Sequence, residues 1–190
     1  MFNVVKQDMR RHLLTDDEIG GVRAVIELFV FNHSFWVILS YRCGRWVRKN
    51  CRVPVLRELL KIMTRFWHAW LGLVTGIQIP FETEIGPGLY IGHTGTLVMN
   101  TGVVIGSNCN IGVGVVIGEG GRGDRRGSPV IGNNVFIGVG AKIIGKITIG
   151  NNVAIGANAV VTEDIPDNAT AVGIPAHVIN YLGSGDFVKH

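Results

Sequence analysis

The sequence predicts a mainly β fold, a coil of short strands stacked into a prism, with an α-helical region in front of it. Three observations carry this. Aliphatic residues recur every six positions from residue 77: Ile79, Ile85 and Ile91, then Met99, Ile105, Ile111 and Ile117, then Ile131, Ile137, Ile143, Ile149, Ile155 and Val161. Glycine is abundant, 27 in 190 residues, without the every-third spacing of collagen. Up to about residue 75 the apolar spacing is helical instead.

These patterns divide the chain into an α-helical region (1–75), a β-helix domain (76–180) and a C-terminal tail (181–190). In the front region, Thr15 and Glu18 have the spacing of a capping box, and Asn32 to Ser34 reads as a break between helices. The clearest helix begins at Pro54, which suits a first turn. Leu56, Leu59, Leu60, Met63, Phe66, Trp67 and Trp70 form its apolar face, and Arg57, Lys61, Thr64, Arg65 and His68 fall opposite, so His68 is expected to be solvated.

A six-residue aliphatic beat followed by Gly or another small residue cannot be helix. It fits one inward side chain per flat face and then a tight corner, where Gly and Asn tolerate left-handed backbone. Stacked Ile and Val rungs then fill a narrow prism.

The beat breaks twice. Ile91 to Met99 is a step of eight, forcing two extra residues out of the coil just after His93. Between Ile117 and Ile131 lies a polar stretch rich in Gly and Arg, expected to protrude as a loop. Breaks in a regular pattern nominate functional sites. His93 reads either as a general base for a hydroxyl or as a histidine satisfied by backbone groups at a corner. Gly118, Gly120 and Gly123 match GxGxxG, but no helical segment follows, so a dinucleotide fold is refused. Glu82 and Glu84 are candidates to orient His93, and Asp124 to reach a substrate from the loop.

Composition excludes several classes. Charged residues are only 17%, and the net charge of +4 is scattered, so no nucleic-acid footprint is expected. Three cysteines without metal or redox spacing suit free thiols in a reducing compartment, hence a cytoplasmic location. The start has no signal-peptide pattern. The most apolar segment, 24–41, is interrupted by Glu27, Asn32, His33 and Ser34, too polar for a membrane span, which leaves peripheral membrane contact open. A zinc enzyme needs about three imidazole ligands, whereas His93 and His177 are the only histidines from 77 to 180.

The ladder, GLYIGHTGTLVMN, the Gly-Arg loop, IGVGAKIIGKITIGNNVAIGANAVVTEDIP and AVGIPAHVI resemble hexapeptide-repeat acetyltransferases, in the branch of serine O-acetyltransferases and exopolysaccharide O-acetyltransferases. The resemblance implies a left-handed parallel β-helix, a homotrimer with sites between neighbouring prisms, and acetyl-coenzyme A as donor, without a metal. It implies His93 as the catalytic base, with backbone N–H groups stabilising the oxyanion.

Positions matching the pantetheine contacts are Gly140, Ala141, Ala157 and Asn158. Arg122, Arg125, Arg126, Lys142 and Lys146 are candidates for the coenzyme phosphates, and Gln78, Asp124, Arg125 and Arg126 for the acceptor. Relative to serine acetyltransferases, Gly92 stands for an aspartate, Gln78 for a second carboxylate and Gly127–Ser128–Pro129 for Arg-His-Pro. An amino acid's buried charges need counterparts, so the expected acceptor is a sugar hydroxyl of surface polysaccharide, with serine as the alternative and a non-catalytic trimeric scaffold as a third reading.

Overall fold

The computed structural model describes residues 1–13 and 22–188, excluding the side chains of Val22, Arg23 and Arg125. Four helices come first: α1 (Phe2–Leu13), α2 (Val22–Phe31), α3 (His33–Asn50) and α4 (Pro54–Thr75). The capping-box pair Thr15 and Glu18 lies outside the described residues. Asn32 does break the helices: its side chain caps α3 by accepting from Phe35 N at 2.9 Å, and α2 and α3 meet at a bend of 83°. No single described helix is long and apolar enough to cross a membrane.

Helix α4 is turned the other way from expectation. Leu56, Leu59, Met63, Phe66, Trp67 and Trp70 are exposed, and Trp67 stacks on Trp70 at 5.2 Å between ring centroids. The inward side carries Thr64, His68, Leu71 and Thr75, because α4 must seal polar groups of α3 and of the first coil. His68 is half-buried between them. Its Nε2 lies 2.8 Å from Ile79 O, a group that only accepts, so Nε2 carries a proton, and Nδ1 lies 2.6 Å from Ser40 Oγ.

Burial lowers the His68 pKa from 6.5, with Arg48 adding to that and the bond to Ile79 opposing it. The neutral form is therefore favoured in the fold. As pH falls below about 6.5 the unfolded chain takes up a proton that the folded chain resists, so stability declines. Denaturant melts from pH 8 to 5 should show this slope, and His68→Gln should flatten it.

From Ile77 the chain runs through β1 (Ile77–Gln78), β2 (Glu84–Ile85), β3 (Tyr90–Ile91), β4 (Leu97–Met99), β5 (Val104–Ile105), β6 (Asn110–Ile111), β7 (Val116–Gly118), β8 (Val130–Ile131), β9 (Phe136–Ile137), β10 (Lys142–Ile144), β11 (Thr148–Ile149), β12 (Ala154–Ile155), β13 (Val160–Val161), β14 (Thr170–Gly173) and β15 (Ala176–Asn180). Every third strand stacks in parallel. The first face is β1-β4-β7-β10-β13, the second β2-β5-β8-β11 and the third β3-β6-β9-β12-β14, closed by antiparallel β15.

Like residues stack along each face, as Ile91, Ile111, Ile137 and Ile155 do on the third, and all are almost fully buried. Such rungs bury roughly 1.5–3 kcal/mol of apolar side chain each. Corner asparagines form a second ladder, Asn108 to Asn134 to Asn152 to Asn168, each with φ near 60°. The segment after Asn180, expected as a tail, packs back on the prism instead: Phe187 stacks on Phe136 at 4.6 Å, and Ser184 bonds Asn134 O.

Candidate active site

The register fixes where His93 stands. Ile91 pairs with Ile111 and Met99 with Ile117, so a step of eight residues in one coil matches a step of six in the next. The surplus is spent in the corner after β3, which bulges at 92–96. His93 on that bulge is exposed, and its ring meets no described residue by hydrogen bond, ion pair or ring contact. It is not a backbone-satisfied corner histidine. An imidazole left open in this way can take a proton from an incoming group.

The corners below His93 form one edge of the prism, between the third and first faces. Backbone bonds link them in order: Gly114 N to Thr96 O at 2.6 Å, Gly140 N to Val113 O at 2.8 Å, and Asn158 N to Val139 O at 2.8 Å. Coils stack at about 4.8 Å, so His93 lies roughly 14 Å along this edge from Ala157. Gly140, Ala157 and Asn158, the positions that the resemblance matches to pantetheine contacts, therefore share this edge with His93. Ala141, beside Gly140, is fully buried and can offer only its backbone. The corner backbones approach closely: a β-carbon on Gly138 would sit 2.7 Å from Ala157 N. Only glycine fits there, so the coils stack with main chain against main chain at this corner.

Other candidates are placed differently. The Lys142 ammonium, expected to meet a phosphate, donates to Gly114 O at 2.6 Å and Gly140 O at 2.8 Å, capping the corner carbonyls instead. The Gly-Arg loop is folded by the Gly120–Gly127 bridge and a short 3₁₀ turn, Gly123–Arg125. Arg126 pairs with Glu119 there, and Lys146 donates to Asp124 O at 3.3 Å. Arg122 and Asp124 are exposed, while the Arg125 side chain is outside the described set.

This loop leaves β7 on the first face and enters β8 on the second, so it sits on a different edge from His93. Glu84 also lies on the second face, where Arg45 approaches it at 3.5 Å, and it does not orient His93. Gln78 is exposed on the first face, in a cleft of about 980 Å³ walled by α4, with Arg65, His68 and Glu82 among its lining residues.

Sequence reasoning missed the group packed beside β3. Tyr90 points outward from the third face, its ring 4.8 Å from that of His12. Below it Cys109 is buried and its thiol is pushed up to about 11, chiefly by burial, so it is inert near neutral pH.

Residues 128–163 match the bacterial transferase hexapeptide family (six repeats). The serine acetyltransferase of Synechococcus elongatus is 34% identical over 183 residues, covering 96% of this chain and 70% of that protein. The serine acetyltransferase of Staphylococcus xylosus is 44% identical over 179 residues, covering 94% and 78%. The chain belongs to the serine acetyltransferase family. Among solved structures, the serine acetyltransferase of Brucella abortus superposes with a TM-score of 0.77 at 27% identity, covering 96% of this chain and 70% of that one. The same enzyme in complex with coenzyme A gives 0.75 at 28% identity, covering 95% and 68%.

This member is accordingly an acyltransferase with acetyl-coenzyme A as donor, and its parallel β-helix is left-handed, as the family resemblance implies. The non-catalytic scaffold reading is thereby overturned.

Proposed function

We propose that the protein transfers the acetyl group of acetyl-coenzyme A to the hydroxyl of L-serine, as a trimer with its sites between neighbouring prisms. The observation that carries the reading is the open His93 at the head of an edge lined by small residues. His93 takes the proton of the acceptor hydroxyl, and the oxygen attacks the thioester carbonyl. Collapse of the tetrahedral intermediate expels the coenzyme A thiolate, which recovers the proton from the imidazolium. A neighbouring copy is needed because the Gly-Arg loop and His93 occupy different edges of one prism. The apolar outer side of α4 also asks for a partner surface.

Serine takes precedence over the sugar acceptor expected from the sequence because the relatives that span nearly the whole chain are serine acetyltransferases. The sugar reading keeps one specific support. Gly92 and Gln78 offer no carboxylate to an ammonium, and Gly127 and Ser128 offer no cation to a carboxylate.

Thiol release measured with acetyl-coenzyme A and either L-serine or a neutral glycoside separates the two. Turnover with serine at least tenfold above the glycoside is the expected result. The reverse order would return the acceptor to sugars.

A further inference from the structure

Gly92 immediately precedes His93, and the space beside its missing side chain is filled by Tyr90. A β-carbon built on Gly92 would lie 3.4 Å from Tyr90 Cε1 and 3.5 Å from Tyr90 Oη. The phenol therefore stands where the first atoms of a residue-92 side chain would point, one position from the base.

The Tyr90 ring is held. It is half-buried and packs on the His12 ring, whose Nδ1 lies 2.8 Å from Asp8 O. Arg11 adjoins the same cluster through Nη2, which donates to Asn110 Oδ1 at 2.5 Å. The hydroxyl, in contrast, is unused: Tyr90 Oη hydrogen-bonds no described residue. A phenol fixed by its ring, with its hydroxyl open to solvent, is poised for a partner from outside the chain.

We propose that Tyr90 is a specificity-determining residue that holds the acceptor beside His93. Its Oη accepts a hydrogen bond from the N–H or O–H carried by the carbon next to the reacting hydroxyl. The inference rests on the assignment of His93 as the base. A carboxylate at position 92 would select an ammonium through charge. A phenol is neutral and both donates and accepts, so it grips a neighbouring hydroxyl nearly as well. The acceptor class that fits is the 1,2-amino alcohol, of which serine is one, together with the 1,2-diol.

Tyr90→Phe tests this, since it keeps the ring and removes only the oxygen. The KM for L-serine, and for methyl α-D-glucoside if it is turned over, should rise about three- to tenfold, the loss of one neutral hydrogen bond. The KM for acetyl-coenzyme A and the melting temperature should stay within error. Tyr90→Phe combined with Gly92→Asp should recover the KM for serine and not that for the glucoside, because only the ammonium pairs with the new carboxylate.

An unchanged acceptor KM in Tyr90→Phe overturns the assignment and leaves the acetyltransferase reading intact. If the wild type releases no thiol with either acceptor, the proposed function fails, and ligand-observed NMR with the same two compounds still decides on Tyr90. Binding lost in Tyr90→Phe supports the role, and binding to both forms alike or to neither overturns it.

Discussion

Replacing His93 with alanine is expected to lower kcat by a factor of about 10² to 10⁴, the range a positioned general base supplies. The melting temperature should not move, because the ring is exposed and bonds no described neighbour. That separation gives the experiment its force. A structural histidine would cost stability, whereas a base loses only rate. The KM for acetyl-coenzyme A should change little, since the small-residue corners that line the edge are untouched. Steady-state kinetics beside a thermal melt provide both readings, and a variant retaining more than a tenth of wild-type kcat would remove His93 from the mechanism.

The largest loss of stability is expected from Asp8→Ala. Asp8 is fully buried, and its Oδ1 accepts from Gly88 N at 2.8 Å and Leu89 N at 2.9 Å. Arg42, also buried, donates Nε to Asp8 Oδ2 at 2.8 Å, and it donates to Ile85 O and Gly86 O at 2.6 Å each. Together they pin α1 and α3 to the first coil. Burial pushes the Asp8 carboxyl up, against the pull of Arg42 and the two amides, so the pair as a whole contributes little net stability.

Removing one partner is a different matter, because it strands a buried guanidinium and two amide donors. The expected cost is about 3–5 kcal/mol, or roughly 10 °C in melting temperature for a chain of this size. Asp8→Ala with Arg42→Met should lose less than the sum of the single variants. Additive losses would show that the two residues are not coupled.

How far the sequence could be read depends on how local each constraint is. The ladder from Ile79 to Val161 was legible because every coil repeats the same decision, one inward aliphatic and then a corner. His93 was legible because it stands beside a break in that repeat. The place of the Lys142 ammonium was not legible, since the two corner carbonyls that it meets come from different coils. Asp8 and Arg42 gave no signal, because isolated charges on helices usually mark a solvated face. Tyr90 gave no signal of its own within GLYIGHTGTLVMN, and Gly92 reads only as a departure from the serine acetyltransferase pattern.

The sequence by itself determined the coil, its corners and the place where it bulges, because six-residue periodicity is written into neighbouring residues and repeated from rung to rung. Only the tertiary structure decided which side of α4 faces inward, which charges are buried as a pair and which phenol fills the space at Gly92. Those outcomes depend on surfaces that the chain brings together from distant positions. An apolar stripe shows that a helix has a face to cover, but the groups waiting on the neighbouring element select the side that turns in.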